Sequence, residues 1–313
     1  MRAVAWVVLA VSACGVASPR VATLAEKNLV SIDAGTIVPA SGVVPYDVQN
    51  PLFTDYASKA RTIYVPPGTR ARYAEGGVFE FPVGSIATKS FGYEGRWIET
   101  RLLVREPGGW KGYAYTWDDA QREAVLRPGG AVIPIGSRST HLVPSQSQCK
   151  KCHADGDEVV PIGLRADQLG ADQLAAWTRR GILEGAPSSS RAAHDDRSRG
   201  SIADRARAYL DSNCAHCHNP TGSARTTGLF LGRDVDAPPV LGVCKSPVAA
   251  GRASGGLRYD VVPGAPERSI LIHRMRATEP AIMMPEIGRS LVHREGVELV
   301  EAWIAGLSGD CRP

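Results

Sequence analysis

Two short strings constrain this chain more than any other feature: Cys149-Lys150-Lys151-Cys152-His153 and Cys214-Ala215-His216-Cys217-His218. Each is a Cys-x-x-Cys-His run. Two thiols three positions apart can both reach the vinyl groups along one porphyrin edge, and the adjacent imidazole then lies under the iron. The pattern predicts two covalently bound haem c groups, with cofactor contacts at Cys149, Cys152, His153, Cys214, Cys217 and His218. His153 and His218 are the expected iron ligands. Two other chemistries compete. A zinc site could draw on both thiol pairs across 65 residues, but four cysteines do not need a trailing His after each pair. A thioredoxin-like redox pair needs a βαβ setting that neither run has.

The N-terminus reads as an export signal. Met1-Arg2 precedes an apolar stretch from Ala3 to Ala13, too short for a membrane span. Val11-Ser12-Ala13-Cys14 resembles a bacterial lipobox, in which the cysteine becomes the lipidated first residue. Plain cleavage near Ala13 is the alternative. Either way the chain is expected in the periplasm or at the cell surface, and a lipid on Cys14 would hold it to a membrane. Of seven cysteines, Cys244 and Cys311 are left over. In an oxidising compartment they pair as a disulfide or remain as two free thiols.

Texture divides the rest. Residues 1–14 read as the signal and 15–45 as a small, polar tether. From 46 to 140 short alternating runs recur, at Arg61–Val65, Val78–Phe81, Ile98–Val104 and Tyr113–Trp117, and 13 of the 20 aromatics lie between Phe53 and Trp117. Turn signals separate them, so the pattern predicts an antiparallel β-sandwich or barrel. Its alternating aromatics read as core, and Asp118 and Asp119 as turn residues. After Val143 helical patterns take over. Asp167–Gly181 reads as a helix, Ala186–Gly200 as a linker, and Ser201 to Asp204 as a capping box opening a helix to about Ser212. Val297, Val300, Ile304 and Leu307 share one helical face. The expectation is an α+β multidomain chain: a β domain (46–140), a first haem module (141–200) and a second (201–313), both mainly α-helical. A net charge of +4 without a basic run argues against nucleic acid.

Residues 201–313 resemble a class I cytochrome c domain: helix, Cys-x-x-Cys-His, a loop bearing Met, then a last helix. Pro263-Gly264-Ala265-Pro266-Glu267-Arg268-Ser269, followed by Met283-Met284-Pro285, resembles cytochrome c domains common in planctomycetes. More broadly, residues 51–313 resemble a family of bacterial dihaem c-type cytochromes. The segments that carry this are Pro51–Tyr56, Phe81–Gly84, Glu99–Val104 and Asn213–His218. The resemblance implies Met284 as distal ligand of the second iron, with Met283 the alternative. It also implies that a turn at Pro220 and Gly222 holds the proximal imidazole through a carbonyl.

No methionine lies between Met1 and Met275. The first iron is therefore bis-His, ligated from another module, or five-coordinate. His141 and His194 are local candidates; His273 and His293 could reach only from the second module. Lys150 and Lys151 either steer an acidic partner or are simply solvated, and His216 reads as solvated. The function expected is single-electron transfer between exported redox proteins. The alternatives are a dihaem enzyme such as a peroxidase, with an open first haem, and the haem subunit of an exported dehydrogenase.

Overall fold

The computed structural model describes residues 22–74, 77–136, 139–186, 194–198 and 200–311. The expected lipobox Cys14 lies outside them. Fifteen strands run in chain order: β1 (Val30–Asp33), β2 (Thr36–Pro39), β3 (Val43–Pro45), β4 (Ser58–Tyr64), β5 (Ala71–Tyr73), β6 (Phe79–Glu80), β7 (Ile86–Tyr93), β8 (Arg96–Glu106), β9 (Gly109–Trp117), β10 (Ala124–Leu126), β11 (Ala131–Ile135), β12 (Ser139–Val143), β13 (Ala154–Asp155), β14 (Glu158–Val159) and β15 (Leu183–Glu184). Five α-helices accompany them among the described residues: α1 (Cys149–His153), α2 (Ala171–Arg179), α3 (Ile202–Asn213), α4 (Ile270–Arg276) and α5 (Arg294–Ala305).

One antiparallel sheet of six strands, ordered β10-β9-β8-β7-β4-β3, organises the N-terminal two-thirds. Three of the alternating runs fall on its strands β4, β8 and β9, because period-2 apolar patterning suits a sheet covered on its faces, while Val78–Phe81 falls on β6 of a separate three-stranded sheet. One face carries Val43, Leu102, Tyr115 and Ala124 and is covered by Leu24, Leu29, Val30 and Ile37. Hydroxyl pairs cross this sheet, Thr62 with Thr88 at 2.7 Å and Ser90 with Thr100 at 2.8 Å. They satisfy polar groups that water cannot reach. The opposite face carries Ile63, Ala87 and Trp110 and packs on Leu164, Leu169, Leu174 and Trp177.

Three expectations are corrected here. The protein is not a β-sandwich or barrel followed by two mainly α-helical modules. It is mostly sheet, and its described α-helices number five, none longer than twelve residues. The reason lies in the backbone between α3 and α4. Glycines at Gly228, Gly242, Gly251, Gly255, Gly256 and Gly264 take positive φ, and prolines recur among them, so helix cannot propagate. The first motif's segment is also not a free-standing module, since β15 pairs in parallel with β5, and Leu183 and Trp177 lie in the core of the main sheet. Finally, the tether expected over 15–45 is a folded layer from residue 22 onward. Its small polar composition hid the scattered Val30 and Ile37 that cover the sheet and the Val43 that joins its edge.

Other expectations match. Ser201 Oγ accepts from the Asp204 amide at 3.1 Å while the Asp204 carboxylate accepts from the Ser201 amide at 3.0 Å, a reciprocal cap that opens α3. In α5, Val297, Val300 and Ile304 are buried against α3 and α4. The helix expected from Asp167 begins at Ala171, because Gly170 at φ 47° breaks the first turn. No helix among the described residues is long and apolar enough to cross a membrane.

Cys244 and Cys311 are joined, closing a loop across 67 positions. The bridge anchors the end of the chain beside the second core. Replacing both with serine is expected to lower unfolding free energy by about 2–4 kcal/mol, chiefly by releasing the unfolded chain. Urea denaturation of the variant, set against the oxidised wild type, measures it.

Candidate functional site

The first motif forms helix α1 itself and sits on the main sheet at Gly112. A Cβ at Gly112 would lie 2.8 Å from Cys149 Sγ, so only glycine leaves room for the cysteine there. The second motif follows α3 directly, as Cys214 ends that helix. The two motifs touch. Cys217 Sγ donates to the Lys151 carbonyl at 3.1 Å, and Ser223 Oγ donates to the same oxygen at 2.8 Å. The Gly156 amide adds a 3.1 Å bond to the Thr221 carbonyl.

Both motif imidazoles are held alike. His153 Nδ1 donates to the Val160 carbonyl at 2.7 Å, and His218 Nδ1 donates to the Leu229 carbonyl at 3.2 Å. A carbonyl can only accept, so Nδ1 carries the proton and Nε2 keeps its lone pair. Burial drives His153 down to about 4, with the nearby charges of His216, Lys89 and Arg101 adding to it against the Val160 bond. Burial likewise lowers His218. Both rings are therefore neutral at neutral pH, the form that binds a metal.

His153, His218 and all four motif thiols line one cavity of about 810 Å³. Its size falls in the range of cofactor sites, and its walls are largely apolar, with Leu103, Leu142, Leu231, Ile270 and Val297 among them. Met284 is on the wall and half-buried, whereas Met283 is packed away from it at 7% exposure. The structure thus distinguishes the two methionines. The expected carbonyl at Pro220 or Gly222 is replaced by Leu229: Gly222 closes tightly on the Cys217 carbonyl and does not reach the imidazole.

The candidate ligands for the first site separate sharply. His141 is buried between Glu99, which its Nε2 meets at 2.6 Å, and the Tyr93 hydroxyl at 3.1 Å. Both nitrogens are engaged, and the ring is not on the cavity wall. His194 and His273 are also off that wall, each with a buried Nε2 lacking a partner. His293 is on it, stacked on Phe53 at 4.2 Å and bonded through Nδ1 to the Tyr209 hydroxyl at 3.1 Å. Burial brings His293 down to about 4.

His216, expected to be solvated, is instead drawn inward. Ligand atoms of Cys152, His216 and Cys217 lie within 4.8 Å of one another, and His216 Nδ1 is buried without a partner. The bond between Cys152 and Cys217, with burial, pushes the Cys152 thiol up, and the same bond lowers Cys217. Cys149 and Cys214 do not join this cluster, so the four motif cysteines do not converge on one zinc position. Lys150 Nζ reaches the Asp157 carbonyl at 3.2 Å, and both motif lysines are exposed.

Sequence reasoning missed three features: Gly112, the carbonyls of Val160 and Leu229, and Arg289, whose guanidinium donates to the Met284 carbonyl from Nε at 3.1 Å and from Nη2 at 2.9 Å. Only Gly112 had a signal, a glycine inside a strand pattern. No family model, curated protein or solved structure matches the chain.

Proposed function

We propose that this chain is an exported dihaem c-type cytochrome that passes single electrons between redox partners, held to a membrane by a lipid on Cys14. One haem c is carried on Cys149 and Cys152 with His153 as iron ligand. The other is carried on Cys214 and Cys217 with His218 and Met284. One observation carries the reading: two Cys-x-x-Cys-His runs put their thiols on one apolar cavity, and both imidazoles are oriented by a carbonyl on Nδ1. Paired thiols beside a carbonyl-oriented neutral imidazole, occurring twice, support an iron porphyrin at each run. The bound groups would supply reversible one-electron storage.

The chain's own residues do the rest. Val160 and Leu229 hold the imidazoles neutral and oriented. The apolar walls exclude water, which tunes potential. Contact of the motifs at Lys151, Cys217 and Ser223 brings the two attachment segments together, which would favour electron exchange between groups held on them.

A second reading, a peroxidase-type enzyme with an open first iron, is favoured by one fact. His141, the nearest candidate in sequence, is committed to Glu99 and Tyr93.

The experiment is intact mass after denaturation of protein matured in a periplasm with haem-attachment machinery. Two porphyrin masses are expected, falling to one in Cys149→Ala/Cys152→Ala and to one in Cys214→Ala/Cys217→Ala. A chain with no porphyrin, or with stoichiometric zinc on the Cys152, His216 and Cys217 cluster, would overturn the proposal. Peroxide turnover by the two-haem protein would favour the enzyme over the relay.

A further inference from the structure

The sheet face beneath the first motif carries two neighbouring rungs. The first is apolar: Ile63, Ala87, Leu103 and Gly112 pair across β4, β7, β8 and β9, with Cys149 seated over Gly112. Two residues along each strand, and so on the same face, Arg61, Lys89 and Arg101 pair directly across β4, β7 and β8. All three line the same cavity as Cys149, Cys152 and His153.

Like charges placed directly opposite in a sheet destabilise it, so a row of three cations calls for counter-charge. Arg61 has Asp47 at 2.8 Å, and Arg101 has Glu99 at 2.7 and 2.8 Å. Lys89, between them, has no hydrogen bond or ion pair among the described residues. Its ammonium sits only over the Phe91 ring, 5.0 Å from the centroid, where Arg101 also stacks at 4.4 Å. Burial and the charges of Arg61, Lys59 and Arg101 all push Lys89 toward its neutral form, with Glu99 opposing. A half-buried cation in this position is an uncompensated cost unless an anion enters the cavity beside it. A compact ammonium between two guanidinium groups suits a carboxylate, which charge-assisted bonds hold strongly.

We propose that Arg61, Lys89 and Arg101 form a carboxylate-binding floor for the first motif's half of the cavity, with Lys89 the cation that pairs with the ligand. The inference rests on the haem reading above. The carboxylate has two possible sources, the porphyrin carried on Cys149 and Cys152 or a small free acid entering the cavity.

The test compares wild type, Lys89→Met and Lys89→Arg, each first checked by mass for two porphyrins. A positive charge near an iron favours the reduced form, so its loss lowers the potential. With the porphyrin as source, one of the two midpoints falls in Lys89→Met by about tenfold in the reduction equilibrium, about 59 mV for one electron. The other midpoint stays, and Lys89→Arg restores the first. With a free acid as source, acetate changes the wild-type absorption spectrum saturably and leaves Lys89→Met unaffected. Two attached porphyrins with unmoved midpoints and identical acetate responses would sink the floor alone. Absence of porphyrin from the wild type would instead remove the reading beneath it.

Discussion

Glu99→Ala is expected to destabilise the protein by about 3–5 kcal/mol in urea denaturation at pH 7. Glu99 is fully buried on β8. Its carboxylate accepts from Arg101 Nε at 2.7 Å, from Arg101 Nη2 at 2.8 Å and from His141 Nε2 at 2.6 Å. Truncation leaves a guanidinium and an imidazole without their acceptor beneath the cavity. Removing both charges together should cost less than removing one. Glu99→Ala/Arg101→Met is therefore expected to recover part of the loss, and a double-mutant cycle reads the coupling directly. The pH dependence has a definite sign. Burial alone would raise the Glu99 carboxyl, but the Arg101 charge and the bonds from His141 and Arg101 outweigh it and hold it below the ordinary glutamate value. A depressed carboxyl stabilises the fold fully above the unfolded value of about 4.3 and loses that contribution as pH falls through the folded value. Between neutrality and acid the gap between wild type and Glu99→Ala should thus narrow below about pH 4.3. Stability curves that stay parallel through that window would show that the carboxylate's charge is not what matters.

The main sheet was legible because its strands announce themselves by local patterning. Runs such as Ile98–Val104 alternate, and alternation depends only on neighbours in sequence. The cap at Ser201 and the face of α5 are likewise short-range signals. What escaped was decided by distant partners. Val30, Ile37 and Val43 look like scattered apolar residues until the face carrying Leu102 and Tyr115 is in place to receive them. Trp177 sits in helical-looking sequence, yet its burial is on the sheet. The site divides in the same way. The six motif residues and Met284 are marked by spacing or rarity, and the structure gathers all seven on one cavity. The four candidate histidines could not be sorted by sequence; what removes His141, for instance, is Glu99, 42 positions away. Lys89 had no sequence signal. Its significance arises from register alone, which puts Arg61 on one side and Arg101 on the other.

Replacing Arg289 with methionine is expected to cost a further large amount, about 3–5 kcal/mol, and to do so at the second site. Arg289 is 8% exposed, and each of its three guanidinium nitrogens donates to backbone carbonyls. Nε and Nη2 reach the Met284 carbonyl at 3.1 and 2.9 Å, and Nη1 reaches Leu291 at 3.0 Å. Nη2 also serves Ala277 at 2.9 Å, Met275 at 3.2 Å and Arg274 at 3.3 Å. The last two carbonyls belong to the final turn of α4, which has no helical donors left for them and favours a cation there. One side chain therefore ends α4, holds the Met284 loop against it and fixes the approach to α5. Asp55 completes the clamp from the sheet side, accepting from the Ser290 amide and hydroxyl and the Leu291 amide. Methionine keeps the bulk and removes the donors, leaving buried acceptors that water reaches poorly. On the proposed reading, Met284 then leaves the cavity wall. Arg289→Met should retain two porphyrin masses while losing the thioether-ligated, low-spin spectrum of one haem. Arg289→Lys, which keeps the charge but not the planar fork, should fall between. A variant with wild-type stability and an unchanged spectrum would mean that the Met284 loop is held by something other than this guanidinium.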